Sequence, residues 1–210
     1  MKWSGEKEIK GYEISICFGS SGCPNSANSV TRLSQNIEKI FETENLLEFL
    51  KKRGKGDLKF HHEFKVSLSD CPNACSRPQI SDIGIIGAVI PGVSDEDCTL
   101  CECCVNACDE NAIELDEKNK IPIIDAHHCL MCSKCVMACP TGTLTEKQKG
   151  FRVILGGRLG RHPRLAMEIG GIHSHDQVLE IVKSCLAFYK NNSQNRERFS
   201  SLLSSVDQIN

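Results

Sequence analysis

The chain has 210 residues, 40% hydrophobic and 25% charged, with a formal charge of −2; this is a globular composition, long enough to bury a core, and it excludes disordered and fibrous classes. The near-neutral charge argues against a general nucleic-acid binder, and the longest apolar run, residues 83–90, is too short to cross a bilayer. Residues 1–11 are polar and offer no signal peptide, so the fourteen cysteines are read in a reducing, cytoplasmic setting, where short fixed spacings mean metal ligation rather than disulfides.

In chain order, the alternation of residues 12–16 predicts a strand, and Cys17-x5-Cys23 follows it. Apolar residues at helical spacing (Val30, Leu33, Ile37, Ile40 and Phe41, then Leu46, Leu47, Phe49 and Leu50) predict a helix pair across residues 30–53. A second alternating strand at 64–68 leads into Cys71-x3-Cys75, and an apolar strand is expected near 83–89. Ile90-Pro91-Gly92 signals a loop, as does the polar stretch 145–150, which ends in glycine. A strand at 151–155, a Gly/Arg-rich loop at 156–166, a helix over 176–189 and a polar tail with a weak amphipathic helix complete the chain.

Charge divides this chain in two. Residues 94–146 carry eleven Asp/Glu against three Lys, a net of −8, whereas the remainder carries 22 Lys/Arg against 16 Asp/Glu, a net of +6. Nine of the fourteen cysteines lie in the acidic piece. Residues 91–146 therefore read as a small domain inserted into a larger, discontinuous one formed by 1–90 and 147–210. The expected fold class is α+β, a mixed sheet with helices on one face, interrupted by that small domain.

Within the insert, Cys98-x2-Cys101-x2-Cys104-x3-Cys108 is followed by Cys129-x2-Cys132-x2-Cys135-x3-Cys139-Pro140, and the sequences after each run repeat. Three close cysteines on a turning loop can point their sulfurs at one cluster. Paired zinc sites would draw on C-x2-C pairs instead. Over about 55 residues the stretch resembles a bacterial two-cluster ferredoxin, with Asp109 where proline is usual. In that family the fourth thiolate of each run serves the other cluster. The resemblance thus implies one 4Fe–4S cluster on Cys98, Cys101, Cys104 and Cys139, and a second on Cys108, Cys129, Cys132 and Cys135. Cys103 is left as a spare thiol, and His127 and His128 as a solvated turn.

Outside the insert, two strand ends that each carry a cysteine pair can converge to offer four thiolates to a third cluster. Ser69-Asp70-Cys71-Pro72-Asn73-Ala74-Cys75-Ser76-Arg77-Pro78 resembles the second cysteine motif of nitrite and sulfite reductases, and Cys17-Phe18-Gly19-Ser20-Ser21-Gly22-Cys23 the first. Gly156-Gly157-Arg158-Leu159-Gly160-Arg161-His162-Pro163-Arg164 is similar to the family as well. The resemblance implies that Cys17, Cys23, Cys71 and Cys75 hold a 4Fe–4S cluster coupled to siroheme, with Cys75 as the bridging thiolate. It also implies a ferredoxin insert at this place, as in dissimilatory and anaerobic members. Asp70 replaces the usual glycine.

Candidate siroheme contacts are Asn73, Arg77, Arg158 and Arg161, because the macrocycle's carboxylates and an oxyanion need donors and positive charge. Arg164 is a weaker candidate, and Cys185 reads as core. Catalytic reductases of the family have two related halves and an upstream basic segment, whereas only about sixteen residues precede Cys17 here.

The expectation is therefore an iron–sulfur redox protein with three 4Fe–4S clusters and siroheme left open. It would relay electrons from the ferredoxin part to the third cluster, with sulfite or nitrite as the small oxyanion if siroheme is bound. Expected partners are an electron donor protein, a reductase subunit, or a second copy supplying the missing half; no catalytic residue is assigned. The alternative is a polyferredoxin-type carrier without siroheme or reductase activity. An iron–sulfur sensor ranks last.

Overall fold

A computed structural model describes residues 8–209; residues 1–7 and 210, assigned above to the outer domain, lie outside the described residues. Tyr12 and Ile14 alternate with Glu13 and Ser15 in β1 (Tyr12–Ile16). Helices α1 (Thr31–Thr43) and α2 (Leu46–Lys52) follow, broken at Asn45, whose left-handed φ of 47° suits an asparagine better than most residues. Leu33, Ile37 and Phe41 form the buried stripe of α1. In β2 (Phe64–Ser69), Phe64, Val66 and Leu68 face the core, while Lys65, Ser67 and Ser69 point the other way.

The apolar strand β3 (Ile83–Val93) continues past Pro91, where a register shift against its neighbour accommodates the missing N–H. Next come a short helix α3 (Cys103–Asn106), the hairpin β4 (Ile113–Asp116) and β5 (Ile121–Ile124), and a second short helix α4 (Lys134–Ala138). The chain then returns through β6 (Leu144–Leu155), β7 (Met167–His173), α5 (His175–Asn192) and the one-turn helix α6 (Phe199–Leu202). A Ser174/Gln177 capping box starts α5.

The main sheet has the order β1-β2-β3-β6-β7. Its first three strands are parallel, and β6 and β7 are antiparallel additions. One side of these strands shares a continuous core with α1, α2 and α5, centred on Phe41, Phe64, Tyr189 and Phe199. The α+β class with helices on one face of a mixed sheet is what the patterning predicts. Residues 94–143 are strung between β3 and β6, whose ladder runs to the Val93–Leu144 pair.

Three expectations are corrected, the first being the loop at Ile90-Pro91-Gly92, which lies within β3. Residues 145–150 form part of β6 rather than a loop: they pair with β3 while their side chains are mostly solvated, so a polar sequence is compatible with a strand there. The strand β7 is an addition to the expected elements, because Gly170-Gly171 in its middle reads as a breaker. Among the described residues no helix is long and apolar enough to cross a membrane.

Candidate metal centres

Parallel pairing sets the first site. Because β1 and β2 run the same way, their C-terminal ends lie side by side, and the Cys17 N–H extends the ladder by donating to the Leu68 carbonyl (3.0 Å). Cys17 and Cys23 leave one end and Cys71 and Cys75 the other. The parallel connection from β2 to β3 must recross the sheet end, which carries residues 70–82 over it.

Serine pegs hold that connection down. Ser67 Oγ donates to the Ser76 carbonyl, Ser69 and Ser76 share a hydroxyl hydrogen bond (2.6 Å), and Ser76 Oγ donates to the Leu68 carbonyl (2.7 Å). Asp70 ties the two cysteine loops together. It is 3% exposed, its carboxylate accepts from the Val30 N–H (3.0 Å) and Ser26 Oγ (2.9 Å), and its carbonyl accepts from the Ala27 and Asn28 N–H groups. The carboxylate thus caps α1, which has no side-chain cap of its own. Gly19 and Gly87 permit the approach: a Cβ on Gly19 would meet Asp70 Oδ2 at 2.2 Å, and one on Gly87 the Asp70 carbonyl oxygen at 2.4 Å.

The four sulfurs are neighbours. Burial pushes the Cys71 thiol above its ordinary pKa, the Asn73 N–H hydrogen bond opposes this, and negative charge at Cys23, Cys75 and Cys17 adds to the rise. Cys17 Sγ accepts from the Gly19 N–H (3.4 Å) and the Asp70 N–H (3.3 Å). Cys75 is exposed and borders a pocket of about 420 Å3 on the sheet face away from the helices.

That pocket holds Lys65, Arg77 and Arg198 with Glu13, Ser15 and Leu159. Lys65 pairs with Glu13 (2.9 Å). Arg198 approaches the buried Asp82 at 3.9 Å, and Asp82 also accepts the Lys65 N–H (2.9 Å). Burial pushes the Asp82 carboxyl up, against the opposing pull of Arg198.

Of the four predicted siroheme contacts, the structure brings Arg77 to this pocket. The Asn73 side chain is exposed and its backbone serves Cys71. Arg158 donates to the His162 carbonyl and Ser201 Oγ (both 2.9 Å), and Arg161 is exposed on the same loop. Arg164 is spent on the carbonyls of Gly156, Ser200 and Leu203. Sequence reasoning passed over Lys65 and Arg198. Alternation in β2 places Lys65 on the Cys75 side of the sheet, whereas no local signal marks Arg198.

Eight of the remaining ten cysteines sit on two copies of one backbone path, 31 residues apart. Left-handed φ values occur at Leu100 and Glu102 around Cys101, and again at Met131 and Ser133 around Cys132. Asn111 and Gly142 repeat the feature after Cys108 and Cys139. A left-handed non-glycine residue costs about 1–2 kcal/mol. Here it reverses the chain sharply enough for successive sulfurs to converge.

Cys98, Cys101, Cys104 and Cys139 line a single small cavity. Burial pushes Cys104 up, with added charge from Cys139 and Cys98. Cys139 is itself held at about 7: burial raises it, but hydrogen bonds from the Leu144 N–H and Thr141 outweigh that. In the second group Cys135 is pushed up to about 11 by burial and by charge at Cys129, Cys132 and Cys108. The fourth cysteine of each run therefore lies with the first three of the other.

Cys103 is exposed and hydrogen-bonds to Cys101, while Cys185 is fully buried in the core and burial pushes its thiol far up. His128 pairs with Asp125 (2.6 Å) on an exposed turn. Among the described residues no three His, Cys, Asp or Glu converge on the point that a single ion would occupy.

Comparison with known proteins identifies the family. Residues 11–207 match the family described as "Nitrite and sulphite reductase 4Fe-4S domain". The chain is 30% identical over 192 residues to the "Coenzyme F420-dependent sulfite reductase" of Methanocaldococcus jannaschii, covering 90% of this chain and 28% of that protein. It is 30% identical over 190 residues to a subunit of the anaerobic sulfite reductase of Salmonella typhimurium, covering 89% of this chain and 52% of the relative. The chain thus spans about half or less of the length of these curated relatives.

Among solved structures, a dissimilatory sulfite reductase I superposes with a TM-score of 0.62 at 15% identity, over 93% of this chain and 50% of that one. The NirA protein of Mycobacterium tuberculosis gives 0.51 at 18% identity, over 94% and 26%. At such identity these two speak for the fold alone. Matched over nearly its whole described length, the chain belongs to the nitrite and sulphite reductase 4Fe-4S domain family and is an iron–sulfur protein of that family.

Proposed function

We propose that this chain is the electron-relaying, cluster-bearing module of a sulfite- or nitrite-type reductase. Residues 91–146 act as a two-cluster ferredoxin-like domain set into a reductase-like domain. One 4Fe–4S cluster is held by Cys98, Cys101, Cys104 and Cys139, a second by Cys108, Cys129, Cys132 and Cys135, and a third by Cys17, Cys23, Cys71 and Cys75. The observation that carries the reading is that twelve thiols fall into three mutual groups of four, each with backbone N–H groups aimed at sulfur. Four thiolates bearing N–H hydrogen bonds are the donor set of an iron–sulfur cluster, and those hydrogen bonds tune its potential.

The third group also suits siroheme. Cys75 is exposed beside a pocket whose Lys65, Arg77 and Arg198 can meet carboxylates, while Ser15 and Ser81 line it with hydroxyls. Siroheme, when bound, supplies the iron at which a small oxyanion is reduced. The protein's part is to hold Cys75 at the pocket mouth through the Ser67–Ser69–Ser76 pegs and to keep cations where negative charge gathers. A partner subunit or second copy would close the open side of the pocket, and the donor would be a one-electron carrier drawn to the acidic insert.

Oxygen-free purification followed by iron, sulfide and tetrapyrrole quantitation tests this. The expected result is about twelve irons per chain, as three four-iron clusters require, with siroheme absorption bands and an extractable tetrapyrrole. Full iron with no tetrapyrrole, after reconstitution with siroheme has been attempted, would leave a carrier of the polyferredoxin kind.

A further inference from the structure

The two cysteine groups of the insert are not equivalent with respect to the outer domain. The loop of the second run is seated on β3. The Val89 N–H donates to the Met131 carbonyl (2.8 Å), and Val89 pairs with Cys132 in a parallel bridge. The side chain of the same residue, 0% exposed, packs with Ala27 and Cys71 in a small buried apolar group. One valine therefore touches a cysteine of the insert through its backbone and a cysteine of the outer domain through its side chain.

Paired strands lie about 4.8 Å apart and packed side chains meet at about 4 Å, so Cys132 and Cys71 stand roughly 10 Å from one another across Val89. Lys134 lies in the same region: Asp109 holds its ammonium group, which feels the charge of both Cys132 and Cys71. The loop of the first run presents Thr99, Cys101, Glu102 and Cys103 to solvent instead.

From this asymmetry we infer a fixed order of transfer, which rests on the ligand sets proposed above. The site of Cys108, Cys129, Cys132 and Cys135 is the inner one and passes electrons to the Cys17/Cys23/Cys71/Cys75 site along Cys132–Val89–Cys71. The site of Cys98, Cys101, Cys104 and Cys139 is the outer one and takes electrons from the donor, a reduced one-electron iron–sulfur or flavin protein. Each step moves one electron: the donor-side site is oxidised by one, its neighbour is reduced by one, and no bond or proton changes. The lysine ammonium between the inner and third sites favours the reduced, more negative state of both.

The test uses the whole chain, loaded anaerobically and reduced stepwise with dithionite, with electron paramagnetic resonance as the readout. Cys101→Ser should remove the outer signal and leave the splitting that the inner site imposes on the third. Cys135→Ser should remove the inner signal and abolish that splitting. The reverse pattern overturns the order. If either variant keeps its full iron, the ligand reading itself fails and the order falls with it.

Should a serine variant lose the whole insert, Lys134→Gln decides. It should lower two of the three reduction potentials together, those of the inner and third sites, and leave the outer one where it was. A shift in the outer potential alone would overturn the inference.

Discussion

The insert and the outer domain gather four cysteines in opposite ways. In the insert, three of each four lie within seven residues and the backbone winds them inward, with left-handed turns at Leu100, Glu102, Met131 and Ser133 carrying the strain. In the outer domain, the pairs at 17/23 and 71/75 are separated by two helices, and parallel pairing of β1 with β2 brings them together. Local spacing suffices for three of each four in the first arrangement. The second needs the whole sheet, so its weak points lie in what locks two loops together rather than in the cysteines themselves.

Asp70 is the strongest place to break that contrast. Asp70→Ala removes a buried acceptor of two side-chain-mediated hydrogen bonds, one of them from the Val30 N–H at the start of α1. Charged hydrogen bonds are worth about 1.5–3 kcal/mol each, so a loss of about 3 kcal/mol in urea unfolding is expected. Iron should fall by the share of one cluster, with the insert's two signals kept. Equal loss from both regions would mean that they do not stand apart.

Next in size, Cys75→Ser should end any magnetic coupling between the third cluster and siroheme while both insert clusters persist in the spectrum. Loss of the insert signals in this variant would argue that the two regions assemble as one. A smaller effect is expected at Glu102→Gly, which relieves a left-handed residue on an exposed turn; thermal unfolding should show a gain of about 1 kcal/mol or less.

The two cysteines outside the groups sharpen the comparison at its low end. Cys103→Ala should leave iron content unchanged, since its thiol is exposed and hydrogen-bonds to Cys101 from outside the group of four. Cys185→Ala should also keep all iron, but lose about 1 kcal/mol to the small cavity left in a fully buried site. A fall of one cluster's worth of iron in either variant would reassign that cysteine as a ligand.

How much could be read beforehand follows the same division. The cysteine runs at 98–108 and 129–139, the strands at 12–16 and 64–68 and the helix pair were legible because each rests on spacing within a few turns of chain. Pro91 and Gly92 read as a loop, yet a register shift lets β3 continue through them. Residues 145–150 look like a linker, yet they pair along their length with β3. Arg158 and Arg164 looked available for a cofactor because their partners on the tail, Ser200, Ser201 and Leu203, are invisible until it folds back.

By itself, then, the order of amino acids determined the two spaced cysteine runs and which chain segments alternate toward a core, since these depend on periods of two, three and four residues. Tertiary structure alone decided that Lys65, Arg77 and Arg198 share a pocket with Cys75, and that Val89 stands between Cys132 and Cys71. Those are contacts between segments tens of residues apart. They come from strand pairing and buried packing, which no short window of sequence contains.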